Sequence, residues 1–144
     1  MNKKLTLKEE TLLLDAAQVV RQNSYSPYSG FKVGAAVLTS KGNIYTGTNI
    51  ENAAYGSTIC AERSAIFAAV SAGERSLRAL ALITQKIPDV TFGSPCGSCR
   101  QVMSEFMAPD TPILVAVLDG KKRKVYRKKL KDFMPYPFDK FKEK

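Results

Sequence analysis

Two cysteine-bearing segments, Cys60-Ala61-Glu62 and Pro95-Cys96-Gly97-Ser98-Cys99, constrain this 144-residue chain more than any other feature. They hold all three of its cysteines, and the chain has no histidine. A metal site here must therefore be built from thiolates and carboxylates, and no scheme resting on an imidazole base is open to it. An odd number of cysteines, two of them spaced C-x-x-C, points in a reducing compartment to metal or redox chemistry over a disulfide framework. If the three share one ion, two segments far apart in the chain must close on one point.

Hydrophobic periodicity says which elements do this. Thr6-Leu7-Lys8-Glu9 has the S/T-x-x-E form of a capping box, and Leu13, Ala16, Ala17 and Val20 follow at helical spacing, so a first helix is expected from about Leu7 to Gln22. Ser24 to Gly30 reads as a connector, after which Phe31 to Thr39 and Asn43 to Ile50 read as a hairpin turning through Ser40-Lys41-Gly42. A helix from about Cys60 to Ala72 stops at Gly73, and Leu77 to Thr84 is an apolar strand. Pro95 suits the start of a further helix running to Phe106, and Ile113 to Leu118 and Lys124 to Arg127 flank Asp119-Gly120 as a second hairpin. The order α-β-β-α-β-α-β-β predicts one three-layer α/β/α domain over residues 1–144, a five-stranded mixed sheet with helices on both faces, and a lysine-rich tail from about residue 128.

A hydrophobic content of 44% at this length supports a core without staples. Charges at Lys8, Glu9, Glu10, Asp15 and Arg21 interrupt the first apolar stretch, so neither a signal peptide nor a membrane span is expected, and the location is read as cytoplasmic. The net charge of +9 raises the question of a nucleic-acid partner. Its excess sits in Lys121–Lys124, Arg127–Lys129 and the closing lysines, without the interleaved stacking aromatics of a single-strand binding surface, so a solvated basic face is the reading.

Cys60 and the Cys96/Cys99 pair each fall at an expected helix start, where unpaired N–H groups and the positive end of the helix dipole favour thiolate. Three protein ligands leave the fourth tetrahedral corner open to water, as in a catalytic zinc site. Three thiolates also make the cluster anionic, which works against activating water and calls for nearby positive charge, for which Arg63 is well placed. Glu62, in the first helical turn, is within reach to move a proton between water and a substrate. The same residues admit blander readings: a redox pair, or a structural zinc site with Glu62 as an ordinary helix carboxylate.

Cys60-Ala61-Glu62-Arg63 and Ser94-Pro95-Cys96-Gly97-Ser98-Cys99-Arg100-Gln101, together with YSPYSGFKVGAAV from Tyr25 to Val37 and NIENAAY from Asn49 to Tyr55, resemble the small homotetrameric zinc-dependent cytidine deaminases over roughly residues 10 to 120. The resemblance implies one zinc per subunit on Cys60, Cys96 and Cys99, with Glu62 as proton carrier and Arg63 tempering the thiolate charge. It implies that Asn49 and Glu51 hold a ribose hydroxyl, that Phe31 packs near sugar and base, and that the Ala61 N–H and Ser94 carbonyl meet the pyrimidine edge. In the tail, Met134-Pro135-Tyr136-Pro137-Phe138 resembles a segment whose phenylalanine reaches a neighbouring subunit's base, which makes Phe138 a candidate. Read without the resemblance, Phe31 is core, Asn49 and Glu51 are polar strand-end residues, and Tyr55 is a packing residue or a subunit contact. The implied function is hydrolytic deamination of cytidine and 2′-deoxycytidine in pyrimidine salvage, by a homotetramer with shared active sites. The competing readings are a deaminase of antibiotic nucleosides or of polynucleotides, and a non-enzymatic zinc-stabilised or nucleic-acid-binding module.

Overall fold

The computed structural model describes residues 3–86 and 93–139. Helix α1 spans Leu7–Arg21 and opens on the expected capping box: the Glu9 N–H donates to Thr6 Oγ1 at 3.1 Å and the Thr6 N–H donates to Glu9 Oε2 at 2.9 Å. Strands β1 (Gly34–Thr39) and β2 (Ile44–Thr48) form the first hairpin, paired from Gly34 with Thr48 to Leu38 with Ile44. Both strands are shorter than their apolar patterns suggest, since the paired register ends at Gly34 with Thr48. A 3₁₀ turn at Tyr55–Ser57 precedes α2 (Ala61–Ser71), β3 (Leu77–Thr84), α3 (Gly97–Phe106), β4 (Pro112–Asp119), β5 (Lys122–Lys129) and a short α4 (Leu130–Phe133).

The sheet order is β2-β1-β3-β4-β5, with β3 and β4 parallel and every other pair antiparallel. One face carries α1, whose Leu13, Leu14 and Ala17 pack on Ala36, Ala81, Ile83 and Leu114. The other carries α2, α3 and α4 on Ala35, Val37, Leu80, Leu82 and Val115. Strand β1 lies between these layers and is buried at every position, which explains its continuous apolar run GAAVLT in place of the alternation of a one-sided strand. The second hairpin differs by one residue from the expected turn. Asp119 pairs with Lys122, so Gly120-Lys121 forms the loop, with Gly120 at φ 63° in the first loop position.

Two facts position the functional end. β3 runs towards Thr84 beside the parallel β4, and the carboxyl end of parallel strands is where α/β sheets open their crevices. α2 also lies unusually close to β2: a Cβ on Gly47 would stand 2.3 Å from the Ala65 nitrogen and 2.6 Å from Ser64 Cβ. Only glycine lets the helix that follows Cys60 settle at this depth.

Two outcomes follow from this packing. Gly47→Ala is expected to cost about 1–3 kcal/mol in urea unfolding, as overpacking does, whereas Gly56→Ala, where a Cβ meets nothing within 4 Å, is expected to be near neutral; equal effects would contradict the close approach. Glu9 is held at about 2, from an ordinary 4.5, by the Thr6 N–H and then by Arg78. A depressed carboxylate stabilises above its unfolded pKa and loses that contribution as pH falls through its folded one. The advantage of wild type over Glu9→Gln should therefore be complete above about pH 4.5 and vanish towards pH 2 in unfolding measured across that window.

Candidate active site

Cys60 is the N-cap residue of α2, Cys96 is the N-cap of α3, and Cys99 is the third residue of α3, so two helix N-termini converge on one point. The three sulfurs all lie within 4.8 Å of one another, and Cys60 Sγ stands 3.7 Å from Cys96 Sγ. Ligands at about 2.3 Å from a tetrahedral zinc are roughly 3.8 Å apart, so the sulfurs are spaced as a tetrahedral thiolate site requires. Cys99 is buried, Cys60 half-buried and Cys96 exposed, which leaves the cluster one solvent-facing side.

Electrostatics agree with the donor set. A hydrogen bond from Cys99 holds Cys60 down at about 5, with Arg63 assisting, while that same bond and burial push Cys99 up. Arg63 donates from Nη2 to Cys60 Sγ at 3.4 Å, and its Nε is buried with no hydrogen-bond partner among the described residues. A guanidinium left partly unpaired in the interior fits beside an anionic cluster, whose negative charge compensates it.

A cavity of about 330 Å³ opens over the cluster. Its lining brings Cys60, Cys96, Ala61, Glu62 and Ser94 together with Phe31, Asn49 and Glu51. Glu62 is 5% exposed, and burial, then the charge on Cys60, raises its carboxyl to about 7. A carboxyl poised there takes and returns protons near neutrality.

Asn49 and Glu51 also hold the loop that walls the cavity. Asn49 Oδ1 accepts from the Val33 N–H at 2.9 Å and from Ser24 Oγ at 2.5 Å, and its Nδ2 donates to the Phe31 carbonyl at 2.7 Å. Glu51 Oε1 accepts the Tyr28 and Ser29 N–H groups at 2.9 and 3.1 Å, and Oε2 accepts Ser29 Oγ at 2.6 Å. These bonds, led by Ser29 Oγ, hold the Glu51 carboxyl below its ordinary range, so it is anionic and accepts further donors.

The structure thus gathers Cys60, Cys96, Cys99, Glu62, Arg63, Phe31, Asn49, Glu51, Ala61 and Ser94 about one cleft. Two candidates lie apart from it. Tyr55 is 74% exposed, edge-on to Tyr28 with centroids 5.8 Å apart. Phe138 does not line the cavity of its own chain; its side chain is 69% exposed and its carbonyl accepts from Gln101 Nε2 at 2.8 Å.

Arg100 has a role that its sequence position did not reveal. Its Nε donates to the Pro95 carbonyl at 2.7 Å, its Nη1 to the Phe133 carbonyl at 2.9 Å, and its guanidinium sits 5.2 Å over the Phe133 ring. It ties the loop that presents Cys96 to the C-terminal segment. The only sequence signal was a cation directly after the C-x-x-C pair. Ser29 was equally unmarked, since its role depends on Glu51 being folded against it.

Convergent sulfurs, a buried carboxyl beside them and an open cleft together define a metal hydrolase site. Residues 7–115 match the family described as cytidine and deoxycytidylate deaminase zinc-binding region, and the chain belongs to that family. It is 48% identical over 108 residues to a cytidine deaminase of Sporosarcina psychrophila, covering 75% of this chain and 77% of that one. To a cytidine deaminase of Halalkalibacterium halodurans it is 44% identical over 112 residues, covering 78% and 83%. A crystal structure of cytidine deaminase from Burkholderia pseudomallei superposes with a TM-score of 0.80 at 38% identity, covering 89% of this chain and 98% of that one.

Outer groups that orient metal ligands typically govern about 10–100-fold in metal affinity. Arg100→Gln is accordingly expected to weaken zinc binding within that range in a competitive chelator titration, and unchanged affinity would show that the clamp does not organise the Cys96 loop.

Proposed function

We propose that this protein deaminates cytidine and 2′-deoxycytidine hydrolytically to the uridines, releasing ammonia, in cytoplasmic pyrimidine salvage. The observation that carries the reading is the buried Glu62 carboxyl, which lines with Cys60 and Cys96 one open cleft of about 330 Å³. Cys60, Cys96 and Cys99 are the zinc ligands in this reading, and Arg63 offsets their charge. Zinc held there supplies the Lewis acidity that makes water a nucleophile near neutral pH.

The chain's own groups do the rest. Glu62 takes a proton from the attacking water and delivers it to N3 of the pyrimidine as oxygen bonds to C4. It then carries the remaining hydroxyl proton to the 4-amino group, the C4–N bond breaks, and ammonia leaves with C4 as a carbonyl. The Ala61 N–H and the Ser94 carbonyl orient the pyrimidine edge, and Phe31 packs against the nucleoside. Asn49 and Glu51 bind the ribose hydroxyls through capacity left over from their loop contacts. Gripping the 3′-hydroxyl in this way leaves no path for a continuing strand, which favours free nucleosides over polynucleotides. Phe138, exposed and outside the cleft of its own chain, reaches the base bound in a neighbouring subunit of a homotetramer, and the exposed Tyr55 serves at a contact between subunits.

Turnover of cytidine and deoxycytidine, with none of a cytosine-containing oligonucleotide, is the expected result of an ultraviolet assay; the reverse preference would overturn the substrate assignment. Glu62→Gln should keep stoichiometric zinc yet lower kcat by roughly 10²–10⁴-fold. Near-normal turnover would remove Glu62 from the proton path. Cys96→Ala should lose zinc and melt at lower temperature, because metal binding and folding are coupled; full metal content would exclude Cys96 as a ligand.

A further inference from the structure

At the opposite end of the sheet a second cavity, of about 420 Å³, opens between the N-terminal segment, α1, the start of β3 and β4, and the end of β5. Arg78 near the start of β3 lines it, and Thr84 at the other end of that strand lies in a wall of the catalytic cleft. They lie six residue steps apart along the strand, about 20 Å. The two cavities are therefore distinct sites.

Five cations line this second cavity, Lys3, Lys4, Arg78, Arg127 and Lys129, against two carboxylates, Glu10 and Asp110. Both carboxylates are already engaged. Glu10 accepts from Arg127 Nε at 3.0 Å, and Asp110 accepts from Lys129 and Lys131 Nζ at 3.3 and 2.8 Å. Lys3 and Lys4 have no ion-pair partner among the described residues. Arg78, with a side chain only 9% exposed, pairs through Nη2 with Glu9, while its Nη1 is buried with no hydrogen-bond partner among those residues.

A solvated basic face presents its cations outward, each hydrated. Here they surround a concavity with an apolar lining from Leu5, Pro112 and Leu114. Its volume falls in the roughly 300–1,000 Å³ range of small-molecule sites, more room than a bare oxyanion fills. Two lysines without ion pairs among the described residues, beside a guanidinium, present the positive charge that phosphate recognition uses.

We propose that this cavity binds a small phosphate-bearing molecule, its phosphate on Lys3, Lys4 and Arg78 and its organic part against Leu5, Pro112 and Leu114. The source is an organic phosphate such as a nucleoside diphosphate, or free phosphate itself. Titration calorimetry of the full zinc-loaded chain at constant ionic strength tests this, with ADP, inorganic phosphate and adenosine as probes. Saturable ADP binding is expected, with phosphate weaker and adenosine silent; phosphate binding as tightly as ADP would keep the site and identify free phosphate as the occupant. The exposed double substitution Lys3→Ser/Lys4→Ser is expected to weaken binding at least tenfold while leaving cytidine turnover unchanged. Arg78→Gln should weaken it further, and if that variant misfolds the lysine pair still decides. Absence of saturable binding by both phosphates, equal affinity in the lysine variant, or displacement of ADP by cytidine would overturn the proposal.

Discussion

The functional end of this protein depends on two helices beginning at the same place. Bringing sulfur anions to 3.7 Å is unfavourable: at an effective dielectric constant of about 20, two unit charges near that distance repel by roughly 4 kcal/mol. A helix N-terminus contributes only about 0.3–1 kcal/mol towards holding an anion. Two such ends cannot hold three thiolates by themselves. A cation must share the cluster, and the Arg63 guanidinium, 3.4 Å from Cys60 Sγ, is one. Zinc is the other, and the sulfur spacing suits it, so the packing of α2 and α3 against the sheet is also the preparation of a metal site.

That preparation is distributed. Gly47 sets the depth of α2 on β2, and Arg100 secures the loop before α3 to the carbonyls of Pro95 and Phe133. Asn49 and Glu51 pin the loop from Ser24 to Val33 against the end of the first hairpin, so the residues proposed to bind sugar also maintain the wall beside it. Glu62 gains its raised pKa from the same burial that shields the sulfurs. Stability and chemistry here use one set of contacts.

Residues carrying local signals were readable before folding. Thr6 and Glu9 announce α1, Gly73 and Pro95 punctuate the elements around β3, and three cysteines with Glu62 define a site because few other chemistries use that pattern. Features that exist only between elements were not readable. Gly34 and Gly47 are close approaches whose partners, Ala17 and Ala65, lie on other elements. The short helix Leu130–Phe133 sits in a lysine-rich stretch, and burial of Leu130 on the common core, more than propensity, marks its place. The second cavity draws its cations from three separated segments, which a linear reading sees only as surplus charge.

The central claim is that three sulfurs hold an ion with one corner left to solvent. X-ray absorption at the zinc edge of the purified protein tests it most directly. Three sulfur neighbours at about 2.3 Å and one oxygen at about 2.0–2.2 Å are expected. A four-sulfur shell shared between chains, or a shell dominated by oxygen with the cysteines still reactive towards alkylation, would contradict it.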